Sequence, residues 1–311
     1  MVNDLNFRQR KILFCSVLAA LAACSGCRTM RSGNNPANVT DARLLTQNGM
    51  NAMHYGYTQQ AESLLSQAVD KCPSDQRIRH HLASAMVKQG KYDEAIAQLE
   101  TAVQQSCQDA RLFVDLGELY LIKGDATKAA WNAEKALEAN RQNSEAWVLR
   151  GRCHEAQRDV PSALADYHRA SGLDDANPEV QLYIAKAYRQ MGRPLEALTA
   201  LEVYNESFPS EQIPTEALLL TANTLTELKQ FPSAKQALQR ALQRPDATPE
   251  IWLALSKLQF NAGETISAIG TAREAMLVFP ENKELVNWTV SLENASPAIQ
   301  QTAARAGSPS Y

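Results

Sequence analysis

Six cysteines and five histidines are the residues best equipped for covalent or metal chemistry in this 311-residue chain. Cys24 and Cys27 stand in a C-x-x-C spacing, which suits zinc or a redox dithiol. Zinc needs a second pair of ligands, and a redox dithiol sits in a strand–helix–strand setting. Neither surrounds these two residues. His80 and His81 are adjacent, so on a helix they point to different faces, and His54, His154 and His168 lie in separate stretches. No metal-ligand set follows from their spacing. The signatures G-x-x-x-x-G-K-[ST], G-x-G-x-x-G, H-E-x-x-H and G-x-S-x-G are missing. The residues therefore point to no catalytic group, no metal and no cofactor, and the chain reads as a non-enzyme.

The N-terminus reads as an address rather than a fold. Arg8, Arg10 and Lys11 precede an apolar run, Ile12–Ala23, too short to span a bilayer as a helix. The run ends Leu21–Ala22–Ala23–Cys24. These four residues resemble the lipobox of bacterial lipoproteins. The resemblance implies a signal peptide over 1–23, cleavage before Cys24, and lipid on its sulfur and its new amine. Several acyl chains give lasting membrane attachment where one does not. Ser25 stands where an inner-membrane retention Asp would be, so the resemblance implies the periplasmic side of the outer membrane. The plainer alternative is a secretory signal and a soluble periplasmic or secreted product. Loss of 1–23 carries the net charge from −3 to −5. That balance disfavours nucleic acid and anionic lipid surfaces as partners. Residues 24–41, rich in Ser, Gly, Asn and Pro, read as a flexible tether.

Everything from 42 onward repeats. The period is 34 residues: 42–75, 76–109, 110–143, 144–177, 178–211, then Gln212–Ile213–Pro214, then 215–248 and 249–282. With each repeat numbered 1 to 34, position 20 is always alanine, from Ala61 to Ala268. Position 8 is always small, and position 27 is alanine except at Tyr204. Position 15 is glycine at Gly56, Gly90, Gly124, Gly192 and Gly263. The spacing predicts two helices per repeat, near positions 2–14 and 18–31. Glycine at 15 ends the first helix, and Pro161, Pro194 and Pro232 start the second. Small residues at 8, 20 and 27 let the helix axes approach closely. One hairpin cannot bury its own face, so neighbours must stack into a shared core. Residues 283–306 read as a capping helix region, with one further short helix over Pro297–Arg305, and 307–311 as a disordered tail.

The pattern over 42–282 resembles the tetratricopeptide repeat (TPR), with small residues at 8, 20 and 27, glycine near 15, and proline at 32 in Pro73, Pro209 and Pro280. The resemblance implies an all-α fold, an α-α superhelix (solenoid) of seven repeats plus the capping helix, with a concave groove for peptides or protein segments. It places positions 2, 5, 9 and 12 of each first helix in that groove. Position 5 supplies His80, Val114, Val148, Leu182, Leu219 and Leu253, a possible apolar rail or simply packing between repeats. Arg152, Lys186 and Arg189, with Lys257 further on, form a possible basic patch, or are ions paired with Glu155 or Glu179. Position 2 reads Arg43, Arg77, Arg111, then Glu145, Glu179, Glu216, Glu250. Glutamate suits a helix's first turn, whereas arginine there opposes the dipole by about 0.3–1 kcal/mol. Three in a row ask for ion partners or a ligand.

Three further expectations follow. Arg150 and His154 occupy positions 7 and 11, which are apolar or aromatic in neighbouring repeats, so a buried guanidinium there needs Asp159 or Asp166. The three extra residues at 212–214 make that junction the weakest of the array. Cys72 and Cys107 end successive repeats and pair only if their Cα atoms come within about 7 Å. The expected role is a lipid-anchored scaffold for protein segments. The alternative is a component of an outer-membrane export or assembly machine, because tetratricopeptide lipoproteins include pilotins of type IV pili and barrel-assembly factors.

Overall fold

A computed structural model describes residues 36–106, 108–174, 177–209 and 211–295. The signal peptide, Cys24, residues 24–35 of the tether, Cys107 and residues 296–311 lie outside the described residues. Fifteen helices and no strand are present among the described residues: α1 (Pro36–His54), α2 (Thr58–Lys71), α3 (Gln76–Val87), α4 (Tyr92–Gln105), α5 (Ala110–Ile122), α6 (Ala126–Ala139), α7 (Ser144–Ala156), α8 (Val160–Ser171), α9 (Pro178–Gln190), α10 (Pro194–Glu206), α11 (Thr215–Glu227), α12 (Phe231–Leu242), α13 (Pro249–Asn261), α14 (Thr265–Val278) and α15 (Lys283–Ala295). They come in consecutive pairs, as the 34-residue period requires.

Two local devices set the helix boundaries. All five glycines at position 15 take left-handed φ, between 68° and 82°, which only glycine adopts at little cost. The two repeats without glycine use the same conformation, at Arg158 (φ 63°) and Lys229 (φ 60°). The second device is position 34. Asp75, Asp109 and Asn177 each accept a hydrogen bond from the backbone N–H two residues on, and Asn143 from that of Ala146. These side chains cap α3, α5, α9 and α7 by satisfying N–H groups that the helix leaves unpaired.

The structure divides into two compact units, Met1–Cys153 and His154–Tyr311, with the boundary inside α7. In the first unit one apolar cluster runs from Ala42 to Cys153. Ala61, Ala95 and Ala129 at position 20 are wholly buried, as are Ala68, Ala102 and Ala136 at position 27. Leucines such as Leu65, Leu99 and Leu149 fill the space around them, each contributing about 1.5–3 kcal/mol on burial. The second unit is built alike. Ala163, Ala197, Ala234 and Ala268 have no exposed surface. Tyr204, where alanine stands elsewhere, is equally buried, and its ring lies 5.0 Å from that of Phe208. Beside the 212–214 insertion Ile213 is buried and Arg244 Nη1 donates to the Glu211 carbonyl at 2.8 Å. The junction is therefore filled, with its own contacts.

Several boundaries differ from the sequence reading. α1 starts at Pro36, so Pro36–Asp41 is helix where the composition suggested tether. Proline at a first helical position is a start signal, and it outweighs the polar composition there. The C-terminal region forms α15 as far as Ala295. Leu285 and Leu292 of α15 are buried against α14 and α13. Val290 corresponds to position 8, small and buried in all seven repeats, yet here it is 50% exposed. Arg150 and His154 are half-buried rather than enclosed, and Arg150 stacks over the Trp147 ring at 4.5 Å.

Candidate functional site

The first helices of the repeats carry the residues singled out for binding. Each unit presents them differently.

In the first unit, Arg43, Arg77 and Arg111 are all exposed on α1, α3 and α5. Because α1 begins at Pro36, Arg43 sits well inside its helix, and the dipole penalty falls on Arg77 and Arg111 alone. Arg77 is 81% exposed at its side chain, with Nε 3.7 Å from Asp75, the cap of its own helix. At that distance and exposure the pair stabilises little. Arg43 and Arg111 make no ion pair among the described residues. A cleft of about 410 Å³ opens between α1 and α3, lined by Arg43, Thr46, Met50, Arg77 and His81. His81 has its pKa lowered, first by burial and then by the neighbouring His80 and Arg111 charges. It is thus biased toward the neutral form.

A second hollow, about 300 Å³, lies between α3 and α5. Val87, Leu119 and Ile122 give it apolar walls over Leu99, and Asp115, Glu118 and Lys88 are at its rim. His80, expected on the apolar rail, lines this hollow and is held by Asp115, with Nε2 2.5 Å from Oδ2. Glu118 is bound by Arg152, which stands one full repeat later on the same face. Val114 is 5% exposed and belongs to the core, while Val148 is half-buried.

In the second unit every candidate cation has an acidic partner in the following helix pair or cap. Lys186 Nζ lies 2.6 Å from Glu216, Arg189 pairs with Glu227, and Lys257 Nζ lies 3.2 Å from Glu284. Lys257 also sits 5.7 Å from the centre of the Trp288 ring. The partners are therefore not Glu155 or Glu179. The possible basic patch becomes a set of bridges between neighbouring first helices. Leu182 and Leu253 are 6% exposed and pack inside their repeats, whereas Leu219 is half-buried. The apolar rail is interrupted for this reason: position 5 lies at the seam where one first helix meets the next, and the seam closes over most of it.

The remaining reactive groups are held inert. Cys153 is buried, and burial followed by the nearby Glu118 charge pushes its thiol up to about 12. Burial also raises the Cys72 thiol. Buried Asp166 lies 3.6 Å from His154 and 3.6 Å from Arg169, so its charge faces two cationic side chains. The possible Cys72–Cys107 pairing falls on Cys107, outside the described residues. No three His, Cys, Asp or Glu side chains come together among the described residues. None of the described helices is long and apolar enough to cross a membrane.

Comparison with known proteins decides the family. Tetratricopeptide-repeat families match residues 52–113, 114–178, 179–210 and 216–247. The chain is a tetratricopeptide-repeat protein. Among solved structures it is similar to PilF of Pseudomonas aeruginosa at 15% identity, covering 72% of this chain and 99% of that one, with a TM-score of 0.62. PilW, a widely conserved type IV pilus biogenesis factor, is 17% identical over 69% of this chain and 98% of that one, TM-score 0.63. A tetratricopeptide repeat protein from Parabacteroides merdae is 17% identical over 81% and 98%, TM-score 0.60. At these identities the likeness is one of fold. In this tetratricopeptide protein, the inter-repeat bridges and the position-34 caps were not found from sequence. The caps leave a signal, Asp or Asn ending four successive repeats. The bridges become visible only once the repeats are laid in register.

Proposed function

We propose that this tetratricopeptide protein is a non-enzymatic scaffold that holds segments of partner proteins on its first-helix face, tethered to a membrane by lipid on Cys24. The observation that carries the binding role is the first unit's face. It leaves Arg43 and Arg111 without carboxylate partners beside two hollows of side-chain size. A surface kept only for stability would bridge those charges, as the second unit does. The anchor rests on the Leu21–Ala22–Ala23–Cys24 sequence, and it places the protein on the periplasmic side of a bacterial outer membrane.

Affinity capture of the full lipidated protein, after cross-linking in its native membrane, tests the binding role. Partners lost on charge reversal of Arg77 and Arg111 support it. Recovery of the same partners with wild type and variant overturns the assignment of this face. Fractionation of a Cys24→Ala variant tests the anchor: release into the soluble fraction is expected, and unchanged membrane retention contradicts it.

A second reading makes the chain one part of an outer-membrane export or assembly machine, pilotin-like or barrel-assembly-like. The fold shared with PilF and PilW is compatible with this role. Capture of one stoichiometric secretin or barrel complex favours it, and a varied set of soluble partners favours the general scaffold.

A further inference from the structure

We infer that the first unit selects an acidic, amphipathic segment, with carboxylates along the Arg43–Arg77–Arg111 row and an apolar side chain in the hollow walled by Val87, Leu119 and Ile122. The inference rests on the scaffold reading and names the partner chemistry at the same face.

Three observations on the page converge on it. The first is charge accounting. The second unit neutralises Lys186, Arg189 and Lys257 with Glu216, Glu227 and Glu284. The first unit leaves its position-2 arginines without such bridges, and the one contact, Arg77 to Asp75, is long and exposed. Guanidinium groups recognise carboxylates by paired, charge-assisted hydrogen bonds. The second is neighbourhood. Met50 is 46% exposed beside Arg43 and Arg77 in the cleft between α1 and α3, and Ile122 is 54% exposed at the hollow between α3 and α5. Apolar surface thus runs alongside the cations, so a fully charged polyanion matches only half of the face. The third is rigidity at the hollow's edge. His80 is fixed by Asp115 and Glu118 by Arg152, so these acidic groups are already engaged and do not cancel the arginine row.

Register gives the expected spacing. Arginine at position 2 and the hollow at position 12 are ten residues apart on α3, about 15 Å at 1.5 Å per residue. Neighbouring first helices stand about 10 Å apart. An extended segment, at about 3.3 Å per residue, then meets successive arginines with every third residue. A helical segment meets them with every seventh.

Selection from a displayed library of random 16-residue peptides on the full mature chain tests this. The expected pools are enriched in Asp and Glu at a spacing of three or seven, with Leu, Ile, Met or Phe between them. A selected peptide in which each acid is replaced by its amide should bind about tenfold more weakly. Affinity should fall as salt rises from 50 to 300 mM. The triple variant Arg43→Glu/Arg77→Glu/Arg111→Glu, all at exposed sites, should keep the wild-type melting temperature and enrich Lys and Arg instead. Pools with no charge bias, or the same pools from the triple variant, overturn the acidic assignment and leave the scaffold reading standing. Enrichment of no peptide by any form of the protein overturns both. Ile122→Glu separates the two halves: it should weaken the selected peptides while leaving the acidic preference, and unchanged affinity removes the apolar anchor.

Discussion

Gly117 of α5 faces Leu149 of α7 so closely that a Cβ on Gly117 would lie 2.5 Å from Leu149 Cδ2, with the Ala129 carbonyl oxygen and Asn132 Cβ each 3.3 Å away. Position 8 is small for this reason: a leucine from the next repeat occupies the volume a larger residue would need. Replacing Gly117 by Ala therefore forces Leu149 off its rotamer, at about 1–3 kcal/mol. Denaturant unfolding of Gly117→Ala should show that loss. Leu149→Ala in the same chain should recover part of the strain, so the double variant should be less destabilised than the sum of the two single ones.

Arg158 and Lys229 hold the left-handed turn that glycine holds in the other five repeats. A side chain in that conformation costs about 1 kcal/mol or more. Arg158→Gly and Lys229→Gly should each raise stability by about 0.5–1 kcal/mol, and Gly90→Ala should lower it by about 1–2 kcal/mol. Thermal melts of the three variants check the opposite signs.

His81 gives the fold a pH dependence of defined sign. Burial, then His80 and Arg111, lower its pKa from 6.5, so the unfolded chain binds a proton there more readily than the folded one. The stabilisation is complete above about pH 6.5 and is lost as pH falls toward the folded value. His168, whose pKa burial also lowers, acts in the same direction. Stability measured from pH 7.5 to 5.5 should fall for the wild type and fall less steeply for His81→Gln. Identical slopes would remove His81 from the account.

Hydrogen exchange tests the 212–214 junction. The insertion lengthens one inter-repeat connection, which the sequence marks as the weakest seam. Ile213 and Tyr204 are nonetheless buried beside it. Amides at the start of α11 should exchange faster than those at the start of α3 and α5. Equal protection would mean that the buried tyrosine compensates fully for the longer loop.

Much of this was legible because the repeat fixes a register. Alanine at position 20, the five turn glycines and the helix pairs follow from spacing alone, since each is a local steric demand made seven times. The start of α1 was missed because a polar composition concealed the signal in Pro36. Two kinds of fact stayed out of reach. Val114 and Leu182 look identical to Val148 and Leu219 in sequence, yet only the former are buried, because the tilt of one first helix on the next decides which side of the seam a residue meets. The pair Glu118–Arg152 joins residues whose individual types say only that they are charged.

Val290 has one more consequence. Its seat on α15 matches the one that receives a neighbouring hairpin elsewhere in the chain, and half of it faces outward. Trimmed to alanine, it would offer a ready splice point where added hairpins could lengthen the protein, so the number of modules is set by where the gene ends its periodic run rather than by any limit in the stacking geometry.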